Sequence, residues 1–198
     1  MRVTTNGVET YFWDNKRGTK RKVSGILSKD DLDKLMTRRT ERKDLLSIAI
    51  DDKITDRYYQ KAAISAVCEH TQKGSRKHLL VMATGTRKTR TASSLTDVLS
   101  RGNYVTNILF LADRTALVKQ AKDDFKNYLP HMSLCNLCSN KDDRQARIVF
   151  STYPTMLNAI DEARTRDGRR LFTPAHFDLI IITESHRSIF KKYRAIFQ

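Results

Sequence analysis

No stretch of this sequence approaches the length of a membrane span, and its N-terminus lacks the apolar core of a secretory leader. Cysteine is scarce: Cys68, Cys135 and Cys138 are too few for a disulfide framework, so the chain reads as cytoplasmic. Cys135 and Cys138 stand in C-x-x-C spacing with His131 upstream, but a structural zinc site needs four ligands, usually from two such pairs. With no second pair, incidental loop thiols are expected. Internal repeats and low-complexity segments are also missing, and 39% hydrophobic with 30% charged residues excludes wholesale disorder.

Acidic residues are in deficit. The 198 residues carry 37 Lys and Arg against 22 Asp and Glu, a net charge of +15, which favours a polyanionic partner such as nucleic acid. The excess is uneven: residues 1–57 hold 14 basic and 10 acidic side chains, residues 58–198 hold 23 and 12. A merely soluble basic surface is the plain alternative.

Two textures divide the chain near residue 53. Before it come the aromatic "ETYFWD", suited to one strand, the basic turn "NKRGTKRK", and a helix that Ser28 can cap, with Leu32, Leu35 and Met36 on one face. Residues 1–53 therefore read as a tail or linker. From residue 54 the pattern is regular. A helix in "TDRYYQKAAISAVCEH" places Tyr59, Ala62, Ala63, Ala66 and Val67 along one stripe. The strand "HLLVMAT" (78–84), a loop and a helix ended by Gly102 follow. Strand–helix units then come at "NILFLAD" with "RTALVKQAKDDFKNYL", and at "RIVFSTY" with "PTMLNAIDEAR". The last strand is "FDLIIIT". Strands apolar throughout are buried on both faces, and with intervening helices they predict a parallel sheet in an α/β fold.

The loop between Val81 and Ala92, "VMATGTRKTRTA", follows the first of these strands and opens a helix. Phosphate loops need backbone N–H groups and a helix N-terminus facing the anion, a lysine for charge, and a hydroxyl for the metal. Gly85, Lys88 and Thr89 stand where those parts belong. The G-x-x-x-x-G-K-[ST] pattern is broken, however: Met82 replaces its first glycine and Arg87 its last. About two dozen residues upstream, "RYYQ" offers an adenine-reading glutamine. "LFLADRTALVKQA" and "VFSTYPTM" occupy strand ends suited to a nucleic-acid strand, and "LIIITESH" stands where a metal-handling acid belongs.

Taken in order, "TTNGVETYFWD", "RYYQKAAI", "MATGTRKTRTA", "LFLADRTALVKQA", "FSTYPTM" and "FDLIIITESHRSIFKKYRAIF" resemble the restriction (motor) subunit of type I restriction-modification enzymes, within the superfamily-two helicases. The resemblance implies a first RecA-like motor lobe at residues 54–198, ATP and Mg2+ as cofactors, and double-stranded DNA with modification and specificity subunits as partners. It also implies site roles. Gln60 would read the adenine edge in a pocket shaped by Arg57 and Tyr59. Gly85, Thr86, Arg87, Lys88 and Thr89 would line the phosphates, with Thr89 on the metal. Glu184 would orient the attacking water, and His186 would couple the site to the DNA track. Arg114, Ser151, Thr152 and Tyr153 would lie near the DNA backbone. Lys88 and Glu184 are then expected face to face at the carboxyl edges of adjacent parallel strands.

Three departures fall on the chemistry. Arg87 adds a long side chain where close backbone approach favours glycine. Thr183 stands where the family's Asp helps hold magnesium, and a neutral hydroxyl is a poor substitute for a carboxylate on a hard divalent cation. Ser185 replaces an alanine. Measured against the family, the chain begins past the nuclease core, carries no D…E-x-K cleavage cluster, and stops before the second motor lobe with its arginine finger. The expectation is a chain that, alone, is inactive or nearly so as an ATPase, translocase and nuclease. Two other readings remain open: a non-catalytic DNA-binding or decoy module, and a remnant of a disrupted reading frame.

Overall fold

A computed structural model describes residues 2–13, 20–23, 27, 29–139, 145–162, 168, 172–173, 176–183 and 196. Strands β1 (Arg2–Thr5), β2 (Thr10–Trp13) and β3 (Arg21–Val23) form an antiparallel sheet in that order. The β1–β2 turn is written in the sequence as Asn-Gly, the strongest short hairpin signal. Asn6 Oδ1 accepts from the N–H groups of Val8 and Glu9 at 3.0 and 2.7 Å, and Gly7 takes φ 86°. One strand was expected here; three are present. Helix α1 (Lys29–Glu41) supplies Leu32 and Leu35 to a small cluster with Phe12, Val23 and Leu27. Met36, expected on the same face, is exposed and lies outside that cluster, which takes Leu35 instead. Ser28 lies outside the described residues.

The second sheet is parallel, with order β5-β6-β4-β7: β4 is Ile108–Ala112, β5 Leu134–Asn136, β6 Ile148–Thr152 and β7 Leu179–Ile182. Every residue of β4 and β6 is buried, as the apolar run of β4 and the Ile-Val-Phe start of β6 require, and burial extends to the polar Ser151 and Thr152. Side chains alternate between two cores. Ile108, Phe110, Ile148 and Phe150 pack with residues of α2 (Tyr58–Gln72), α3 (Lys88–Arg101) and α4 (Thr115–Tyr128). Leu109, Leu111 and Val149 pack instead with Tyr153, Met156 and Ala159 of α5 (Tyr153–Glu162). Phe110, Phe125 and Phe150 form the centre of the first core, with ring centroids 5.2–5.7 Å apart. Burial of each such side chain is worth about 1.5–3 kcal/mol. This is the expected α/β layer arrangement, a parallel sheet with helices on both faces.

The structure corrects three local expectations. Residues 78–84 join no strand ladder: Leu79 and Val81 are 78% and 90% exposed. After Gly74, at φ 95°, the chain turns back along α2. There the Ser75 N–H donates to His70 O at 2.9 Å, and Thr71 Oγ1 lies 3.1 Å from His78 Nε2. Leu79 and Leu80 line a recess against Ala66 and Val67 of α2. An apolar run signals burial but not its partner, and here local contacts with the preceding helix hold the segment. On α2 itself, the buried stripe is Gln60, Ile64, Val67 and Cys68, while Ala62 and Ala66 face solvent. Isoleucine and cysteine bury more apolar surface than alanine, which sets the helix rotation. The short β5 was not foreseen, since its three residues carry no periodic signal.

Gly102 does end α3, for a steric reason. Its φ is −81°, but an added Cβ would stand 2.5 Å from Leu45 Cδ2. Leu45, 2% exposed, belongs to the larger core, so the segment after α1 is packed onto the α/β layer. Asn103 donates to Glu41 O at 3.0 Å, and the Arg42 guanidinium lies 4.3 Å from the Tyr104 ring centre. Among the described residues no helix is long and apolar enough to cross a membrane.

Candidate nucleotide and DNA site

Arg57 opens α2 in an extended conformation, and its Nη1 donates to Tyr59 Oη at 2.9 Å. Tyr59 meets the 84%-exposed Tyr58 edge-on, with centroids 5.7 Å apart. Gln60, one position further, is completely buried. Its Oε1 accepts from Thr55 Oγ1, and its Nε2 donates to the carbonyl of Thr86 at 3.0 Å. Both ends of the amide are thus engaged within the chain, and one of them fixes the loop. Thr55, also buried, was not singled out from the sequence, where an isolated threonine before a helix carries no distinguishing signal.

Gly85 takes φ 82° with nothing within 4 Å of where a Cβ would stand, so the loop is open on that side. Thr86 closes a tight turn, its Oγ1 donating to Ala83 O at 2.6 Å. Arg87 precedes α3 in the left-handed conformation, φ 56° and ψ 56°, a region that costs a side-chain-bearing residue about 1–2 kcal/mol. Its carbonyl begins the helix, accepting from Arg90 and Thr91 N–H at 3.0 and 3.2 Å. Lys88 and Thr89 form the first turn, both half-buried. Arg90, one residue after Thr89, is committed within the chain. It donates to the Ile54 and Lys53 carbonyls, approaches Asp56 at 3.8 Å and lies over Tyr128.

The carboxyl edge of the parallel sheet gathers the second group. Ala112 pairs with Thr152, and Leu111 with Ile182, so β4, β6 and β7 end together. Arg114 caps the start of α4 and lies 3.6 Å from Asp113, with its own side chain 68% exposed. Ser151 is buried and donates to Thr152 O at 3.0 Å. Thr152 Oγ1 and Thr155 Oγ1 are 2.9 Å apart, with Cys138 Sγ beside both. Tyr153 is 2% exposed; burial, and secondarily the negative charge of Asp113, push its phenol up to about 12. Of the four residues expected near DNA, only Arg114 presents a substantially exposed side chain. Thr183 turns its hydroxyl back to the Leu111 carbonyl at 3.2 Å, while its N–H donates to the same oxygen at 3.1 Å. Glu184 and His186 lie outside the described residues, and with them the expected pairing of Lys88 and Glu184.

The start of β7 carries a structural acid that nothing in the sequence marks out. Asp178 Oδ2 accepts from the Thr106 and Asn107 N–H groups, each at 2.9 Å, and stitches β7 to the entry of β4. Cys135 and Cys138 form no disulfide, and no metal-ligating cluster occurs among the described residues.

The family model described as "Type III restriction enzyme, res subunit" matches residues 53–198. The chain belongs to that family. Two curated members of restriction systems are similar to this chain. The Type I restriction enzyme EcoAI endonuclease subunit of Escherichia coli is 36% identical over 132 residues, covering 66% of this chain and 16% of that protein. The Type I restriction enzyme EcoKI endonuclease subunit of Escherichia coli strain K12 is 31% identical over 138 residues, covering 66% and 11%. The chain thus spans less than a fifth of the length of either. A solved structure, a nuclease-deletion mutant of the Type ISP restriction-modification enzyme LlaGI in complex with a DNA substrate mimic, aligns with 64% of this chain and 12% of its own. The identity is 20% and the TM-score 0.38. The fold of this chain rests on its own parallel sheet.

Proposed function

We propose that residues 54–198 are the nucleotide- and DNA-binding first lobe of a type I restriction motor subunit, with residues 1–53 as its linker from a nuclease domain. The observation that carries the proposal is the family match over residues 53–198, with the helicase-type motifs in order along it. Tyr59 and Arg57 border the adenine side. Gln60 holds the loop from beneath rather than offering a free amide. Gly85, Thr86, Lys88 and Thr89 present a helix N-terminus, an open backbone and a cation, which suit a phosphate. Arg87 crowds that approach.

The donor set suits magnesium poorly. Position 183 offers a hydroxyl already engaged with a carbonyl, where a hard dication takes charged oxygen ligands. The chain is therefore expected to bind nucleotide weakly and to turn it over little. Duplex DNA, approached through Arg114 and the basic excess of residues 58–198, and the modification and specificity subunits are the proposed partners.

Calorimetry with ATP and magnesium tests this, comparing the native chain with an Arg87→Gly, Thr183→Asp double variant. Tighter binding in the double variant is expected, and equal absence of binding in both would remove the nucleotide reading. Steady-state turnover near one per second by the native chain would contradict its impairment. The +11 charge of residues 58–198 favours a second reading, a DNA-binding module without nucleotide chemistry. It would show salt-dependent duplex binding indifferent to ATP.

A further inference from the structure

The antiparallel sheet at the N-terminus has two unlike faces. Because side chains alternate along a strand and paired residues share a side, Phe12 and Val23 lie on one face, where Leu27, Leu32 and Leu35 cover them. The other face holds two cross-strand rows. Arg2 pairs with Trp13, while Thr4, Tyr11 and Lys22 align beside them. Lys20 Nζ lies 4.6 Å from the Tyr11 ring centre and 5.8 Å from that of Trp13, and the Arg2 guanidinium lies 5.7 Å from the Trp13 ring. Both rings are half-exposed and the cations are solvent-accessible. Among the described residues one acid stands at the corner: Glu9 bonds Lys22 Nζ at 2.6 Å and accepts from Tyr11 Oη at 3.0 Å. That contact orients the Tyr11 ring and neutralises Lys22, leaving Arg2 and Lys20 among the described cations of this face.

Two adjacent aromatic rings flanked by cations on a small sheet are poorly suited to burial and well suited to an unpaired nucleic-acid strand. Every base has a face that stacks on an aromatic ring, while lysine and arginine at the ring edges meet the phosphates between bases. Duplex DNA hides its base faces and offers such a platform only its backbone. We propose that Tyr11, Trp13, Arg2 and Lys20 form a stacking site for single-stranded DNA, separate from the motor lobe. Lys20, now lying over the rings, would swing to a phosphate as a base takes its place. The site depends on neither the phosphate loop nor nucleotide, so it stands or falls independently of the proposed motor function.

Trp13 is the only tryptophan in the chain, so its fluorescence reports this face alone. The full chain, without nucleotide, is titrated with a single-stranded oligodeoxythymidylate of about a dozen nucleotides and with a duplex of equal length, a size within the usual range for one such site. Saturable quenching by the single strand, weakening as salt rises, is expected, with the duplex binding this face at least about fivefold more weakly. Tyr11→Ala and Lys20→Glu should each weaken the single-strand response about tenfold. Thr4→Lys, a gain-of-charge change at an exposed position on the same face, should strengthen it and guards against simple loss of folding. Absent quenching, equal response to duplex, or a response indifferent to Lys20→Glu and Thr4→Lys would overturn the proposal.

Discussion

The side-chain amide of Gln60, wholly buried in the first turn of α2, donates to the backbone carbonyl of Thr86 at 3.0 Å. A residue expected to read a base is instead committed to Thr55 and to the loop before α3. Gln60→Ala would strand the Thr55 hydroxyl and the Thr86 carbonyl, at a cost of about 1–3 kcal/mol for unsatisfied buried groups. The expected signature is a lower denaturation midpoint with amide exchange accelerated across residues 83–88. Unchanged exchange there would mean that the loop is held by other contacts.

Arg87 makes the opposite prediction. Glycine populates the left-handed region freely, although it also gains entropy in the unfolded chain. Arg87→Gly should therefore stabilise the protein by a net of about 0.5–1 kcal/mol, whereas Arg87→Ala, which keeps the Cβ, should not. Chemical denaturation of the two variants side by side distinguishes conformational relief from mere loss of a long cation.

Asp178 supplies one oxygen to two backbone donors at the entry of β4. Asp178→Ala leaves both without that acceptor and should cost about 1–3 kcal/mol, whereas Asp178→Asn retains an acceptor and should cost less. Urea midpoints for the two variants provide the measurement, and equal losses would show that the acceptor oxygen is not what matters.

The cysteines should differ in reactivity. Burial pushes the Cys68 thiol up to about 11, so at neutral pH it is essentially all thiol and a poor nucleophile. Cys135 is buried in β5, and Cys138 is the one partly open to solvent. Brief iodoacetamide treatment followed by peptide mapping should find Cys138 modified first and Cys68 last. Raising the pH should speed Cys68 alkylation only after denaturation opens the core.

The parallel sheet was legible because β4 and β7 are apolar throughout and β6 opens Ile-Val-Phe; β4 and β6 are fully buried as such runs imply, whereas β7, at the sheet edge, is only half-buried. Helices α3 and α4 were legible from their periodicity and from Gly102 and Pro130. What periodicity does not encode is choice of partner. Residues 78–84 look like a sheet strand, yet they lie along α2, because Gly74 reverses the chain and His70 and Thr71 hold Ser75 and His78 against the helix. At the site, the order of Gly85, Lys88 and Thr89 could be read directly. The inward commitments of Gln60, Arg90 and Thr183 could not, since each depends on residues many positions away. The Asn6-Gly7 turn did announce a hairpin, and it shows that β1 lay within reach of the sequence.

The segment from Ser75 to Thr86 is fastened to a single helix at both extremities, by His70 and Thr71 at the far end of α2 and by Gln60 at its near end. Like a strap buckled twice to the same rod, it travels with the rod without being drawn taut or slack. A displacement of α2 is thus expected to carry both ends of the segment together.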